Sequence, residues 1–496
     1  MWRMVAGAIA LVFFGAAPGK AEWRRAESPN FIVYSQAGEA RLRQQAELLE
    51  DYDRLLRMLT GAAGAPPAAN KLQVYIVRTN RQLDVVRPVS SSVGGFYTAR
   101  PTAIAAMVDE TGGERDNQTL FHEYAHHFMQ QYFPATYPAW YIEGFAEYMM
   151  TARLLPDRIE FGRSSRDRAY FLNVGPIPAD FVAGPPGERT TTLAVAFYYA
   201  RSWLGVHYFF QDGERRRKLV RYLEAVARGE DSVTAFEREA GMTIADFSRE
   251  LGNYIRGRRI TFQRMPRRAA APASIAVTAL PRAADDLLLL DLAARLDLVE
   301  TRRAAILGQI RDAATAHPGD AYARRALAQA EAFFGDGARA DRLLAELLAE
   351  APQDAELLYL RGMRYLVAAR AGDEPAANHR LAQSWFTRAH RANPDHFPTL
   401  YHYAESLRAG PNYVSDNTMN ILLLANQLAP QVSEVRIIIA HLMMSRGAFD
   451  EAMPVLRPLA SDAHRATAPA AAALLELAKN RQPPGPVVFG GPDEGK

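Results

Sequence analysis

The sequence predicts an α+β domain, a mixed sheet with helices packed on it, followed by an all-α solenoid of paired helices. Three observations carry that reading. Short β-forming runs at residues 31–34, 72–77 and 103–108 are interleaved with longer stretches of helical spacing. From residue 291 to 482 only helical spacing remains, punctuated by Pro318, Pro352, Pro394 and Pro430. Between the two, residues 256–281 lose all periodicity and turn rich in Pro, Ala and Arg. A chain of 496 residues is long enough for more than one domain. The expected division is a signal peptide over 1–21, a first domain over 22–260, a linker over 261–290, a repeat domain over 291–482 and a disordered tail over 483–496.

Composition narrows the function. The net charge of +3 is spread over 58 basic and 55 acidic residues, which argues against a nucleic-acid partner. The Arg-rich runs at 215–218 and 256–259 are short enough to be solvated helix faces or ends. With no cysteine, a disulfide framework, a thiol nucleophile and a thiolate-held metal are excluded. At the N-terminus Arg3 precedes an apolar run over 4–17, and Gly19-Lys20-Ala21 ends in a small-x-small pattern. That run is short for a membrane span and fits a signal peptide cleaved after Ala21, or a signal anchor. The expected location is exported, periplasmic in a Gram-negative source, with no membrane span after cleavage.

The elements follow in order. Residues 31–34 read as a strand, 38–59 as an amphipathic helix and 72–77 as a second strand. Phe96-Tyr97 and 103–108 read as a hairpin across Arg100-Pro101. A polar turn at 109–117 offers Asp116 or Asn117 as the cap of a helix over 118–131. A second helix runs from Trp140 to Ala152. A Pro/Gly-rich stretch at 173–186 reads as a lid or surface loop, and helices follow over 193–211, 214–227 and 244–254. One more strand is expected at 275–279. In the repeat region the four prolines are separated by 34, 42 and 36 residues (318 to 352, 352 to 394, 394 to 430). Small and large residues recur in phase before them, among them Gly362 and Phe386. The tetratricopeptide period is about 34 residues with a terminal proline, so this region is expected to be tetratricopeptide-like and to dock a protein partner.

Chemistry concentrates in the stretch Phe121-His122-Glu123-Tyr124-Ala125-His126-His127, which contains His-Glu-x-x-His. Residues four apart share a helical face, so His122 and His126 can aim two imidazoles at one ion, with Glu123 beside them. His127 falls at the wrong spacing to join the pair. A catalytic zinc takes a third protein ligand. Met129 and Tyr132 occupy the positions where a metzincin has Gly and His, so the ligand must come from elsewhere. The following helix offers Glu143 and Glu147, four apart.

Ile142-Glu143-Gly144-Phe145-Ala146-Glu147-Tyr148 resembles the Asn-Glu-Gly-Phe-Ala-Glu-Tyr segment of gluzincin aminopeptidases. That resemblance implies Glu143 as the third zinc ligand. It leaves Glu147 behind the site, orienting a histidine, anchoring the helix or merely solvated, and Gly144 as the point where this helix packs against the His helix. Ala196-Phe197-Tyr198-Tyr199-Ala200-Arg201-Ser202 is similar to a later gluzincin segment, Tyr-x-Lys-Gly, and implies Tyr199 as an oxyanion donor, with Ser202 in place of Gly. Residues 31–254 as a whole resemble the peptidase MA-like family of bacterial gluzincins. The family's aminopeptidases carry Gly-x-Met-Glu-Asn before the His helix, whereas this chain has Gly94-Gly95-Phe96-Tyr97-Thr98, without an acid. The expectation is therefore a zinc-dependent endopeptidase acting on a peptide or protein substrate, with the strand 103–108 pairing with substrate backbone. The alternative is a non-catalytic peptidase-fold scaffold working through its repeats.

Overall fold

The computed structural model describes residues 22–89, 93–110, 114–173, 177–185, 191–257, 260–267, 272–296, 299–408, 410, 413–461 and 467–486. The expected signal peptide over 1–21 lies outside them, as does the tail beyond 486. No described helix is long and apolar enough to cross a membrane.

The chain opens with β1 (Arg24–Glu27), antiparallel to β2 (Phe31–Ser35). α1 (Glu39–Thr60) then crosses over to β3 (Leu72–Val77), which runs parallel to β2. After α2 (Asn80–Val86), β4 (Gly95–Arg100) and β5 (Ala103–Asp109) form the expected hairpin, with β5 parallel to β3. Next come α3 (Glu114–Tyr132) and α4 (Ala139–Met149). They are followed by β6 (Arg153–Leu154), β7 (Arg158–Phe161) and α5 (Arg166–Asn173). The helices α6 (Thr192–Phe210), α7 (Gly213–Ala227), α8 (Ser232–Ala240) and α9 (Ile244–Arg256) complete this half. β8 (Gln263–Pro266) joins β7 in a small sheet, and β9 (Ala276–Ala279) joins β1, giving the main order β4-β5-β3-β2-β1-β9.

Alternation along the strands sends residues to two cores. Phe31, Val33, Leu72, Val74, Ile104 and Ala106 pack with α1 and α3. On the other face Tyr75, Val77, Ala105 and Met107 pack with Leu83 and Val86 of α2 and with Ala284, Leu288 and Leu292. Those last three belong to α10 (Ala284–Arg295), the first helix of the repeats.

Four expectations change. The segment 261–290, read as a linker, carries two strands and half of α10, because the sheet needs that helix to cover its second face. α3 begins at Glu114, so Asp116 and Asn117 lie inside the helix instead of capping it. β5 is hydrogen-bonded on both sides, to β3 and β4, which leaves no ladder edge for a substrate; the edge strand on that side of the sheet is β4. The described part of 173–186 is no lid, since Phe181 and Val182 are buried and Phe181 packs edge-on against Trp140.

The repeats continue as α11 (Glu300–Ala316), α12 (Ala321–Phe334), α13 (Gly337–Glu350), α14 (Ala355–Arg370) and α15 (Pro375–Ala392). They end with α16 (Phe397–Ser406), α17 (Asp416–Leu428), α18 (Ser433–Ser445), α19 (Phe449–Ala460) and α20 (Ala468–Lys479). Each of the four prolines follows the second helix of a pair, where a residue without a backbone N–H ends a helix. Helices pair in sequence, and α10, α12, α14 and α16 also touch in succession, the contact pattern of a tetratricopeptide-like solenoid. Asp320, Asp336 and Asp354 cap α12, α13 and α14 through their carboxylates. A Cβ on Gly362 would fall 2.4 Å from the Phe386 ring, so this glycine lets α14 and α15 close on each other.

The solenoid holds the first domain at both of its ends. At one end α10 lies on the sheet, and Arg302 donates to the carbonyls of Asp84, Val85 and Val86 at the end of α2. At the other, Arg100 of β4 pairs with buried Glu434 at 3.0 Å, and Asn70 donates to the Leu428 carbonyl at 3.1 Å. Residues of α16, α17 and α18 belong to the same apolar core as α1, α3 and α4. We expect Leu292→Ala, which empties a fully buried position on the shared face, to lower stability by about 2–5 kcal/mol. Urea unfolding followed by circular dichroism should show one transition shifted as a whole, and an early transition of the repeats alone would contradict the shared core.

Candidate metal centre

α3 is helical through 122–126, so the two imidazoles stand on one face one turn apart, with Phe121, Tyr124, Ala125 and Phe128 packed into the core. Tyr52 of α1 holds this helix by donating to the Phe121 carbonyl at 3.2 Å and stacking on its ring. The two ring nitrogens, His122 Nε2 and His126 Nε2, stand 3.0 Å apart. Glu143 of α4 faces both, with Oε2 at 3.6 Å from His122 Nε2 and Oε1 at 3.6 Å from His126 Nε2. All three donor atoms lie within 4.8 Å of one another. A tetrahedral zinc with bonds of about 2.0–2.1 Å spaces its ligand atoms at about 3.3 Å, so the donor set fits such an ion in both type and spacing.

Glu147 sits one turn further along α4, buried, with Oε1 at 3.5 Å from His122 Nδ1. A carboxylate on Nδ1 favours the proton there and leaves the Nε2 lone pair directed at the shared point. Arg168 of α5 grips Glu147 with two bonds of 2.7 Å, Nε to Oε2 and Nη2 to Oε1, and its guanidinium lies 5.2 Å from the centre of the Tyr199 ring. No sequence pattern marks Arg168, because it lies in a polar run at 163–168 and its role depends on what the fold brings beside it.

Electrostatics follow from the packing. Burial opposes a charge on His122, but Glu143, Glu147 and Glu123 outweigh it and push its pKa up to about 9. The same negative field suits a divalent cation. Burial and these three carboxylates push the Tyr199 phenol well above its ordinary range, so it keeps its proton and can donate it. The Tyr199 ring centre lies 6.3 Å from that of His122, whereas Tyr198 is buried in the apolar core.

Gly144 acts against a different helix from the one expected. A Cβ there would lie 2.4 Å from the Ser202 carbonyl oxygen and 2.7 Å from Val206, both on α6. Gly144 therefore lets α4 cross the Tyr199 helix, not the His helix, and Ser202 is the small residue opposite. His127 is buried and shares a hydrogen bond of 3.1 Å with Tyr97 of β4, so it ties the edge strand to α3. His207 is remote from the cluster, bonded to the Thr261 carbonyl at 2.7 Å and the Tyr254 hydroxyl at 2.8 Å.

No family model matches the chain, and no curated protein matches it. Among solved structures, a thermophilic TPR protein of Thermus thermophilus, TTC0263, is 22% identical over 39% of this chain and 100% of its own, with a TM-score of 0.33. The chain described as MamA MSR-1 C2 is 20% identical over 36% of this chain and 88% of its own, with a TM-score of 0.25. At such scores neither likeness fixes a fold, and the repeat architecture rests on its own helix pairing.

Two expectations follow for measurement. Gly144→Ala forces α4 and α6 apart and should destabilise the protein by about 1–3 kcal/mol in chemical unfolding. Burial holds His207 and His402 neutral, with pKa values of about 4, while the unfolded chain takes up protons near 6.5. Stability should therefore be lost as pH falls from about 6.5 toward 4, and His207→Gln should flatten that slope in urea midpoints measured across the range.

Proposed function

We propose that the chain is a zinc-dependent metallopeptidase, an endopeptidase in which His122, His126 and Glu143 would hold the ion. The observation that carries this reading is the convergence of those three donor atoms within 4.8 Å, next to a carboxylate at Glu123 and a protonated phenol at Tyr199. A bound zinc would supply Lewis acidity toward water and the scissile carbonyl. The rest falls to the chain. Glu123 takes the proton of the attacking water as general base and hands it to the leaving amine. Tyr199 donates its hydroxyl to the oxygen that gains negative charge, and Glu147 with Arg168 keeps His122 in register. β4, the edge strand tied to α3 through Tyr97, takes the place of β5 as the strand available to a substrate backbone. The stretch 94–98 lacks the acid that the aminopeptidase segment carries, which counts against an aminopeptidase and favours an endopeptidase. Export to a periplasm belongs to the same proposal, on the strength of residues 1–21.

The second reading is a non-catalytic scaffold. It is favoured by the extent of the repeats, which account for about two-fifths of the residues and suit protein partners. One set of measurements separates the two. Purified protein should carry about one zinc per chain, and His122→Ala should lose it. Glu123→Gln should keep the metal while cleavage of an unfolded protein substrate disappears, and Tyr199→Phe should lower kcat by about 10²–10³ with little change in KM. A wild-type protein that binds no zinc ends the enzyme reading. Zinc binding with no cleavage across a peptide library favours the scaffold.

A further inference from the structure

Helix α5 supplies none of the three candidate ligands, yet one of its side chains reaches the centre. Arg168 donates from Nε to Glu147 Oε2 and from Nη2 to Glu147 Oε1, each at 2.7 Å, and Glu147 Oε1 lies 3.5 Å from His122 Nδ1. The Glu147 side chain is 1% exposed, so whatever fixes its oxygens also fixes the partner of the His122 ring. The helix itself is eight residues long, about two turns, and too short to hold its shape alone. Its first turn is capped where the Arg168 backbone N–H donates to Ser165 Oγ at 3.2 Å. Leu172 is buried and Phe171 stands edge-on to Phe197 of α6 with ring centres 5.3 Å apart, whereas Tyr170 is 65% exposed. Among its described side chains, α5 is thus docked by two apolar contacts and by the two-pronged pair of Arg168 with Glu147.

Charge and geometry pull in opposite directions at this contact. Glu123, Glu143 and Glu147 act on His122 with three negative charges, and Arg168 adds one positive charge. A divalent ion would bring the sum of these groups to zero. As a charge alone, Arg168 repels such an ion, and its loss would tighten binding. As a fork, it holds Glu147 beside Nδ1 and so leaves the Nε2 lone pair directed at the ion, and its loss would weaken binding. Glu147 lies too deep for water to replace two charge-assisted hydrogen bonds, so the geometric effect is the larger. Lysine would keep the charge and lose the fork.

We infer that zinc affinity at this centre is set from α5, with Arg168 a positioning residue that acts on His122 through Glu147, and that metal binding and the docking of α5 are coupled. The inference rests on the metallopeptidase reading in so far as that reading places zinc on His122, His126 and Glu143, and it does not require that the chain cleave anything. Such coupling is reciprocal. Whatever factor the docked helix adds to zinc affinity, bound zinc adds to the docking of the helix.

Two measurements on the full chain test it together: zinc affinity by competition with a chelating indicator, and hydrogen exchange of the α5 amides with and without zinc. Arg168→Ala should weaken zinc by roughly 10–100-fold, and Arg168→Lys should weaken it as well, by less. Glu147→Gln should also lose affinity, and adding Arg168→Ala to it should cost little more, because both act through one contact. Saturating zinc should slow exchange over residues 166–173 in the wild type and leave it unchanged in Arg168→Ala. Circular dichroism of the metal-free variants should match the wild type; if Arg168→Ala does not fold, Arg168→Lys carries the comparison. Tighter zinc in Arg168→Ala with wild-type affinity in Arg168→Lys would reduce Arg168 to a charge and overturn the inference. Exchange of α5 that ignores zinc in the wild type overturns the coupling. A wild type that binds no zinc defeats the metallopeptidase reading, and this inference with it, whereas zinc binding with unchanged affinity in all the variants overturns the inference alone.

Discussion

The centre of this molecule is governed by the placement of three carboxylates around two imidazoles, largely out of water. Glu143 and Glu147 are almost wholly buried, and Glu123 adds its charge to theirs. Buried charges persist only when they are paired and hydrogen-bonded. Arg168 answers Glu147 with a two-pronged ion pair, and Glu143 is left facing the two ring nitrogens of α3. Four helices, α3, α4, α5 and α6, each bring one part of this balance. The cluster is therefore a tertiary object, even though its histidines are sequence neighbours.

That balance requires helices held close and held firmly. Gly144 and Ser202 allow the α4–α6 crossing, since a side chain on Gly144 would strike the α6 backbone. Tyr52 and Phe121 fix α3 against α1, and the sheet stands behind both. The sheet in turn depends on the repeats, because α10 covers its second face. Near the other end of the solenoid, α18 meets β4 through Arg100 and Glu434. The repeats are thus part of the structural support of the first domain, not a module hung from a linker.

Much of the fold was legible. The strands at 31–34, 72–77 and 103–108 and the helix 38–59 stand within a residue or so of their expected ends, because periodicity is a local property; the hairpin forms as expected, but its first strand extends beyond Phe96-Tyr97 to Gly95–Arg100. The His122–His126 pair and the Glu143–Glu147 pair were legible for the same reason, each being two residues on one helical face. Short elements without a strong period were missed, among them β1, α2, α5 and α8. Arg168 was missed with them. The role of β5 was misjudged because whether a strand lies inside a sheet or at its edge is set by its neighbours, not by its own residues.

By itself, the sequence determined which residues share a helical face, where helices stop, and that a pair of imidazoles would be followed by a pair of carboxylates on the next helix. It also determined the repeat, since prolines end helices wherever they fall in the chain. Only the tertiary structure decided that Gly144 serves the crossing with α6, that Arg168 supplies the cation that answers buried Glu147, and that the supposed linker completes the sheet. The reason is physical. Helical periodicity arises from contacts three or four residues apart, whereas charge pairing, close helix crossings and the cover of a sheet are settled between segments distant in the chain and meet only when the core closes.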